Sequence, residues 1–200
     1  MARKRLPLRR WLLCLEAVLI FAGLVCGGYC VYAWMESQAA QDQALRELAE
    51  MSRREPPSSH HKKKLETPLV EGSPLGEIVI PNLGLSAAIL EGTEPGTLRR
   101  AVGHVSGTAQ LGEKGNVCLA GHRDTFFRPL RKISAGDEVD LSFPGGTLRY
   151  RVTNTETVDP GELRVLDPTR KNTLTLITCY PFYFIGSAPR RFIVHAEAIS

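Results

Sequence analysis

The sequence predicts a mostly antiparallel β-barrel domain carried behind one membrane-spanning helix. Three observations lead there. The run from Trp11 to Trp34 is apolar apart from a single charge, Glu16, and is longer than the roughly 20 residues a transmembrane helix needs. From Pro74 onward, short β-rich runs alternate with Gly, Pro, Asn and Asp, the punctuation of strands and turns. No helix long enough for a parallel crossover lies between successive runs, which favours an antiparallel barrel over a parallel sheet.

Residues 1–10 form a basic tail with Arg3, Lys4, Arg5, Arg9 and Arg10. Residues 11–34 are the transmembrane helix, with Trp11, Tyr32 and Trp34 where interfacial aromatics belong. A cleaved signal peptide has an apolar core of roughly 7–15 residues, shorter than this run. Val25 and Tyr29 precede Cys26 and Cys30, so neither cysteine follows a small residue as a lipoprotein cysteine does. Residues 35–45 contain no Lys or Arg. The charge asymmetry puts the N-terminus in the cytoplasm and everything after Trp34 outside.

Residues 35–74 read as a stalk and linker. Residues 35–55 are polar and helix-forming, with a thin apolar stripe at Ala44, Leu45, Leu48 and Met51. Residues 56–74 are rich in Pro, Ser and Lys, the composition of a flexible linker. His60 and His61 have no further metal ligand near them in sequence, so they read as a solvated pair.

The remaining residues, 75–200, form the exported domain. Strands are expected near 76–81, 85–90, 116–120, 137–143, 147–158, 173–178 and 191–198, with short helices over Thr93–Arg100 and Thr125–Ile133. No internal repeat is visible. The net charge of +4 is mild. Much of it sits in the basic tail and in Lys62, Lys63 and Lys64, so it is no nucleic-acid footprint. Of the five cysteines, Cys14, Cys26 and Cys30 lie in the apolar run. Cys118 and Cys179 remain, too few for a disulfide scaffold.

Cys179 admits three readings: a small hydrophobe, half of a disulfide, or a nucleophile. A nucleophile needs a base or cation to hold the thiolate, access to substrate, and donors for the developing oxyanion. The domain offers His104, His122 and His195. His122 follows the run 116–120 through Gly121, and Cys179 ends the run 173–178; two strand ends can converge at a barrel rim. Parity supports an open site. Leu174 and Leu176 form the inward set, and Cys179 shares the outward parity of Thr175. In the last strand Phe192, Val194, Ala196 and Ala198 face the core. Arg191 then shares the outer face with Ile193, His195 and Glu197, while Arg190 turns to solvent at the strand entrance. Cys118, mid-strand in "NVCLA", reads as a core filler.

"TLITC" with "APRRFIV" after it and "GNVCLAGHRDTFF" before it resembles the sortases, over roughly Gly76 to Ile199. "CYPFYFIGSAPRRFIV" is most similar to class D, with class E close. The resemblance implies an eight-stranded sortase-type β-barrel with short helices. It implies a cysteine transpeptidase that cuts an LPxTG-like sorting signal, with LPxTA as a variant, after its threonine. The acyl group would be held as a thioester and passed to an amine. By motif position Cys179 would be the nucleophile, His122 the general acid/base, and Arg191 the oxyanion and substrate-binding group. The partners implied are exported proteins with a C-terminal sorting signal, an amine acceptor such as a peptidoglycan precursor or a pilin lysine, and the membrane, with no nucleic acid.

Three departures and alternatives stand beside that reading. Cys118 occupies a position where such sequences usually hold a plain apolar residue, which opens a disulfide to Cys179. Glu113, Asp137, Glu138, Asp159 and Glu162 are loop acids near places where some sortases bind calcium; they read as solvated acids, and no cofactor is expected. The competing functions are an inactive membrane-tethered peptide-binding β-module and an exported acyltransferase of the L,D-transpeptidase kind. The latter carries a SxGCxR pattern around its cysteine, whereas Tyr180 and Pro181 follow Cys179 here.

Overall fold

The computed structural model describes residues 8–54, 70–184 and 186–199. The first element, α1, is a helix over Leu8–Arg54, 47 residues long. Its stretch Trp11–Tyr32 is long and apolar enough to cross a membrane. The backbone continues helical through the residues expected to form the stalk. Most of the basic tail and the linker residues 55–69, with His60 and His61, lie outside the described residues.

The domain that follows is a closed barrel of eight strands in the order β1-β2-β3-β4-β7-β8-β6-β5. The strands are β1 Pro74–Ile80, β2 Leu85–Glu91, β3 Val102–His104, β4 Asn116–Ala120, β5 Glu138–Phe143, β6 Gly146–Val158, β7 Thr173–Tyr180 and β8 Arg190–Ala198. Six neighbouring pairs are antiparallel; β2–β3 and β4–β7 are parallel. The alternation read from the sequence fills the interior. Leu174 and Leu176 of β7 and Val194 and Ala196 of β8 join Ile78, Leu141 and Tyr150 in one buried cluster. Each fully buried leucine contributes about 1.5–3 kcal/mol relative to an exposed one.

Two expectations are corrected here. β3 is a strand that the sequence reading did not place. It is three residues long and fully buried, too short to show a period. Gly103 lets it pass close to the turn after β2, where a Cβ would collide with Gly92 O. The expected helix over Thr125–Ile133 is instead a series of turns ending in a 3₁₀ segment, Arg128–Lys132. Phe127 N–H donates to His122 O and Arg128 N–H to Thr125 O, so no α-helical ladder starts. Pro129 cannot donate to one. The expected helix over Thr93–Arg100 is present as α2, Pro95–Arg100.

The connection between β6 and β7 carries another 3₁₀ turn, Arg164–Leu166, which lies on the outer face of the barrel. Val165 packs there with Val158 and Ile193, and Ile177 packs against the same cluster. Asn116 Nδ2 donates to Val165 O at 3.0 Å and Asp167 O at 3.2 Å. Its Oδ1 accepts from Thr175 Oγ1 at 2.8 Å. Arg164 and His195 both bond Glu156 of β6, and Arg164 first, then His195, holds that carboxyl below its usual range. This cover explains why Thr175, of outward parity, is nevertheless buried.

Cys118 sits under the same cover. Val117 and Leu119 face the interior cluster, so the residue between them points the other way. Cys118 is fully buried, with Sγ 3.9 Å from Val165 O. It fills packing as expected, but on the outer face of the sheet. Burial pushes its thiol up to about 11, so it stays protonated. The disulfide to Cys179 is overturned. Cys118 pairs with Thr175, and Cys179 lies four residues farther along β7, roughly 13 Å at ~3.3 Å per residue. A disulfide requires Cα atoms within about 7 Å, and both cysteines are free.

Candidate active site

The parallel pairing of β4 with β7 builds the site. From Asn116↔Thr173 to Ala120↔Ile177 each partner lies 57 positions on. Parallel strands end at the same rim. The pairing persists past the end of β4. Gly121 N–H donates to Ile177 O at 3.1 Å, and Thr178 Oγ1, itself buried, donates to Gly121 O at 2.7 Å. Two residues beyond Ala120 comes His122; two beyond Ile177 comes Cys179. The separation of the two residues in sequence is the register of the sheet.

Gly121 is required at this junction by a close approach. A Cβ there would stand 2.8 Å from the ring of Phe127, which is fully buried. Phe127 in turn anchors the turn that starts at His122, whose carbonyl accepts from Phe127 N–H at 3.0 Å. The histidine therefore leaves a strand end that is pinned on both sides.

β7 runs to Tyr180, so Cys179 stands within the strand, half-buried on its outer face. Its partner across the antiparallel pair is Arg191 of β8. Directly opposed residues on one face lie about 4.5–5.5 Å apart at Cβ. The Arg191 guanidinium is steadied by carbonyls, with Nη1 donating to Arg190 O at 3.2 Å and Ala188 O at 3.4 Å. Arg190 points elsewhere, with Nε 3.7 Å from Asp159 Oδ1 on the surface.

His122, Cys179 and Arg191 line one cleft of about 320 Å³, together with Arg123, Asp124 and the loop residues Gly186, Ser187 and Ala188. The structure thus brings all three expected residues together. The other two histidines of the barrel domain lie apart from the cleft lining. His104 is fully buried, with Nδ1 2.8 Å from Glu91 Oε2 and Nε2 3.0 Å from Ala109 O. His195 Nε2 lies 2.9 Å from Glu156 Oε1 on the covered outer face. Among the described residues no group of three His, Cys, Asp or Glu stands close enough to hold a metal. Thr178 and Arg123 were missed by the sequence reading. Both act on backbone carbonyls, which carry no side-chain signature.

Chemically, the cleft offers a thiol, an imidazole and a fixed guanidinium. A thiolate adds to a carbonyl, an imidazole moves the proton of a leaving or entering amine, and a guanidinium stabilises the oxyanion between. That is the equipment of acyl transfer.

Residues 78–199 match the sortase domain family. The chain is 30% identical to sortase D of Bacillus subtilis over 191 residues, covering 91% of this chain and 96% of that protein. The sortase D5 transpeptidase of Clostridium perfringens has a similar structure, with a TM-score of 0.69 at 28% identity over 81% of this chain and 99% of that one. Sortase E of Streptomyces avermitilis gives 0.56 at 33% identity, over 66% and 91%. With its closed eight-stranded barrel and a match spanning most of the barrel domain, this chain belongs to the sortase family of cysteine transpeptidases.

Proposed function

We propose that this chain is a membrane-anchored transpeptidase that cleaves an LPxTG-like or LPxTA signal after its threonine and joins the freed acyl group to an amine. The observation that carries this reading is the convergence of Cys179, His122 and Arg191 on one cleft. The Cys179 thiolate attacks the threonine carbonyl, and the Arg191 guanidinium donates to the resulting oxyanion. His122, as imidazolium, protonates the departing amine as the C–N bond breaks, leaving a thioester on Sγ. His122, now neutral, takes a proton from the entering amine, which attacks the thioester. Collapse of the second tetrahedral species forms the new amide and returns the thiolate. The substrates are exported proteins bearing a C-terminal sorting signal. The acceptor is a peptidoglycan-precursor amine or a pilin lysine, and the product is a protein attached to the cell envelope.

A peptide-library cleavage screen, run with and without added amines, tests this directly. Release of the residues after threonine, with a new amide when amine is present, is the expected result. Hydrolysis at unrelated sequences, or no cleavage at all, would remove the proposal.

Topology follows from the basic residues ahead of Trp11 and their absence from 35–45: the domain faces outward. Protease added to intact spheroplasts should remove residues beyond Pro74, and their protection would reverse the orientation.

The two adjacent arginines should separate cleanly. Arg191 faces Cys179 across the pair, and losing one oxyanion donor costs about 10²–10³ in rate. Arg191→Ala should lose cleavage on that scale. Lysine at the position should restore it only in part, because a point charge does not reproduce the guanidinium fork. Arg190→Ala removes only a surface contact to Asp159 and should cost far less. Cleavage assays on both variants, with folding checked by circular dichroism, decide the ranking.

A further inference from the structure

The connection between β7 and β8, residues 181–189, forms one wall of the cleft through Gly186, Ser187 and Ala188. Among the described residues it makes a single main-chain hydrogen bond of its own, Phe184 N–H to Pro181 O at 3.3 Å. Its order comes from outside. Arg123, the residue after His122, donates through Nη1 to Pro181 O at 3.1 Å. Its Nη2 donates to Phe184 O at 2.6 Å and to Gly186 O at 3.0 Å. The same guanidinium lies 5.9 Å from the centroid of the Phe184 ring. One side chain thus supplies three hydrogen bonds to a segment that supplies one to itself. A second, more exposed tie joins the same two segments, with Arg131 Nη1 donating to Tyr183 OH at 2.6 Å. From the far side of the cleft, Arg191 bonds Ala188 O.

We infer that Arg123 is a positioning residue: it locks the wall that follows Cys179 onto the turn that carries His122, so that the cleft is already formed before a peptide enters. The planar fork suits the task, because its N–H groups point in fixed, diverging directions toward carbonyls spread over six residues. An ammonium at the same place presents one point of charge. Arg123 spends its terminal nitrogens on these carbonyls, so it serves the wall and not the oxyanion. The kinetic signature differs accordingly. A wall that is formed only one-tenth of the time raises the apparent KM about tenfold. The chemistry of a peptide already bound is left nearly unchanged.

This inference rests on the transpeptidase reading for its kinetic arm only. The test uses the full chain in detergent micelles, as wild type, Arg123→Ala and Arg123→Lys. Hydrogen exchange reads the wall without any substrate. Amides of residues 182–188 should exchange at least about tenfold faster in Arg123→Ala, with the barrel strands unchanged. Cleavage of the sorting-signal peptide found in the library screen should show KM raised about tenfold or more and kcat within about threefold of wild type. Arg123→Lys should fall between the two. Unchanged exchange overturns the clamp. Faster exchange with unchanged kinetics overturns the positioning role and leaves a merely structural one. A fall in kcat at constant KM overturns it in favour of direct catalysis. Failure of the wild-type protein to cleave any sorting signal counts against the transpeptidase reading instead, and the exchange result still decides the clamp.

Discussion

Cys179→Ala is expected to abolish cleavage and to leave no hydroxylamine-sensitive adduct with a sorting-signal peptide. The alanine keeps the strand and removes the one thiol that reaches the cleft. Cys118→Val is expected to keep most activity, although it alters the other cysteine of the domain. The contrast follows from placement. Cys179 is half-buried at the rim, across from a guanidinium. Cys118 is sealed beneath the β6–β7 connection, and burial holds its thiol at about 11, far from the thiolate form that nucleophilic attack needs. Valine is close to cysteine in size, so the packing against Val165 survives. Mass spectrometry of the peptide-treated variants reads both outcomes. A folded Cys118→Val protein without activity, or turnover by Cys179→Ala, would reverse the assignment.

His122→Gln is expected to lose both halves of the reaction, cleavage and transfer to amine, while the barrel persists. General acid–base catalysis contributes about 10²–10⁴ in rate, and in the proposed mechanism one imidazole serves two proton transfers in succession. Glutamine keeps hydrogen-bonding capacity and size, but it cannot carry a proton from one amine to another. The fold should tolerate the change, because the turn is anchored by Phe127 and by the His122 carbonyl rather than by the imidazole. Single-turnover assays separate the halves, with thioester formation reporting the first and amide formation the second. Normal turnover in this variant would remove His122 from the mechanism. His104 would be a poor replacement, since it is fully buried and both its nitrogens have partners.

What was legible in the sequence was whatever leaves a period or a motif. The alternation in 173–179 and 192–198 placed Leu174, Leu176, Val194 and Ala196 inside and Cys179 and Arg191 on one outer face, as the register has them. β3 was not legible, because three residues centred on Gly103 show no alternation and owe their pairing to two neighbouring strands. The face of Cys118 was hidden for a different reason. Its neighbours are apolar on both sides of the sheet, since the β6–β7 connection makes the outer surface a second interior there. Thr178 and Arg123 were invisible because each bonds main-chain carbonyls, and any sequence supplies those.

The register between β4 and β7 also governs what such a domain can become. Everything from the turn after His122 to the end of β7 is one long excursion that leaves the rim and returns to it. Lengthening the excursion at its exposed residues 159–163, clear of the packed turn at Val165, is cheap, since each doubling of a flexible loop costs only about 0.6 kcal/mol. Slipping β7 by one residue against β4 is ruinous: it moves Cys179 about 3.3 Å along the strand and turns it to the opposite face. New recognition surfaces can therefore be grafted between His122 and Cys179 while the distance between those two rim residues is inherited unchanged.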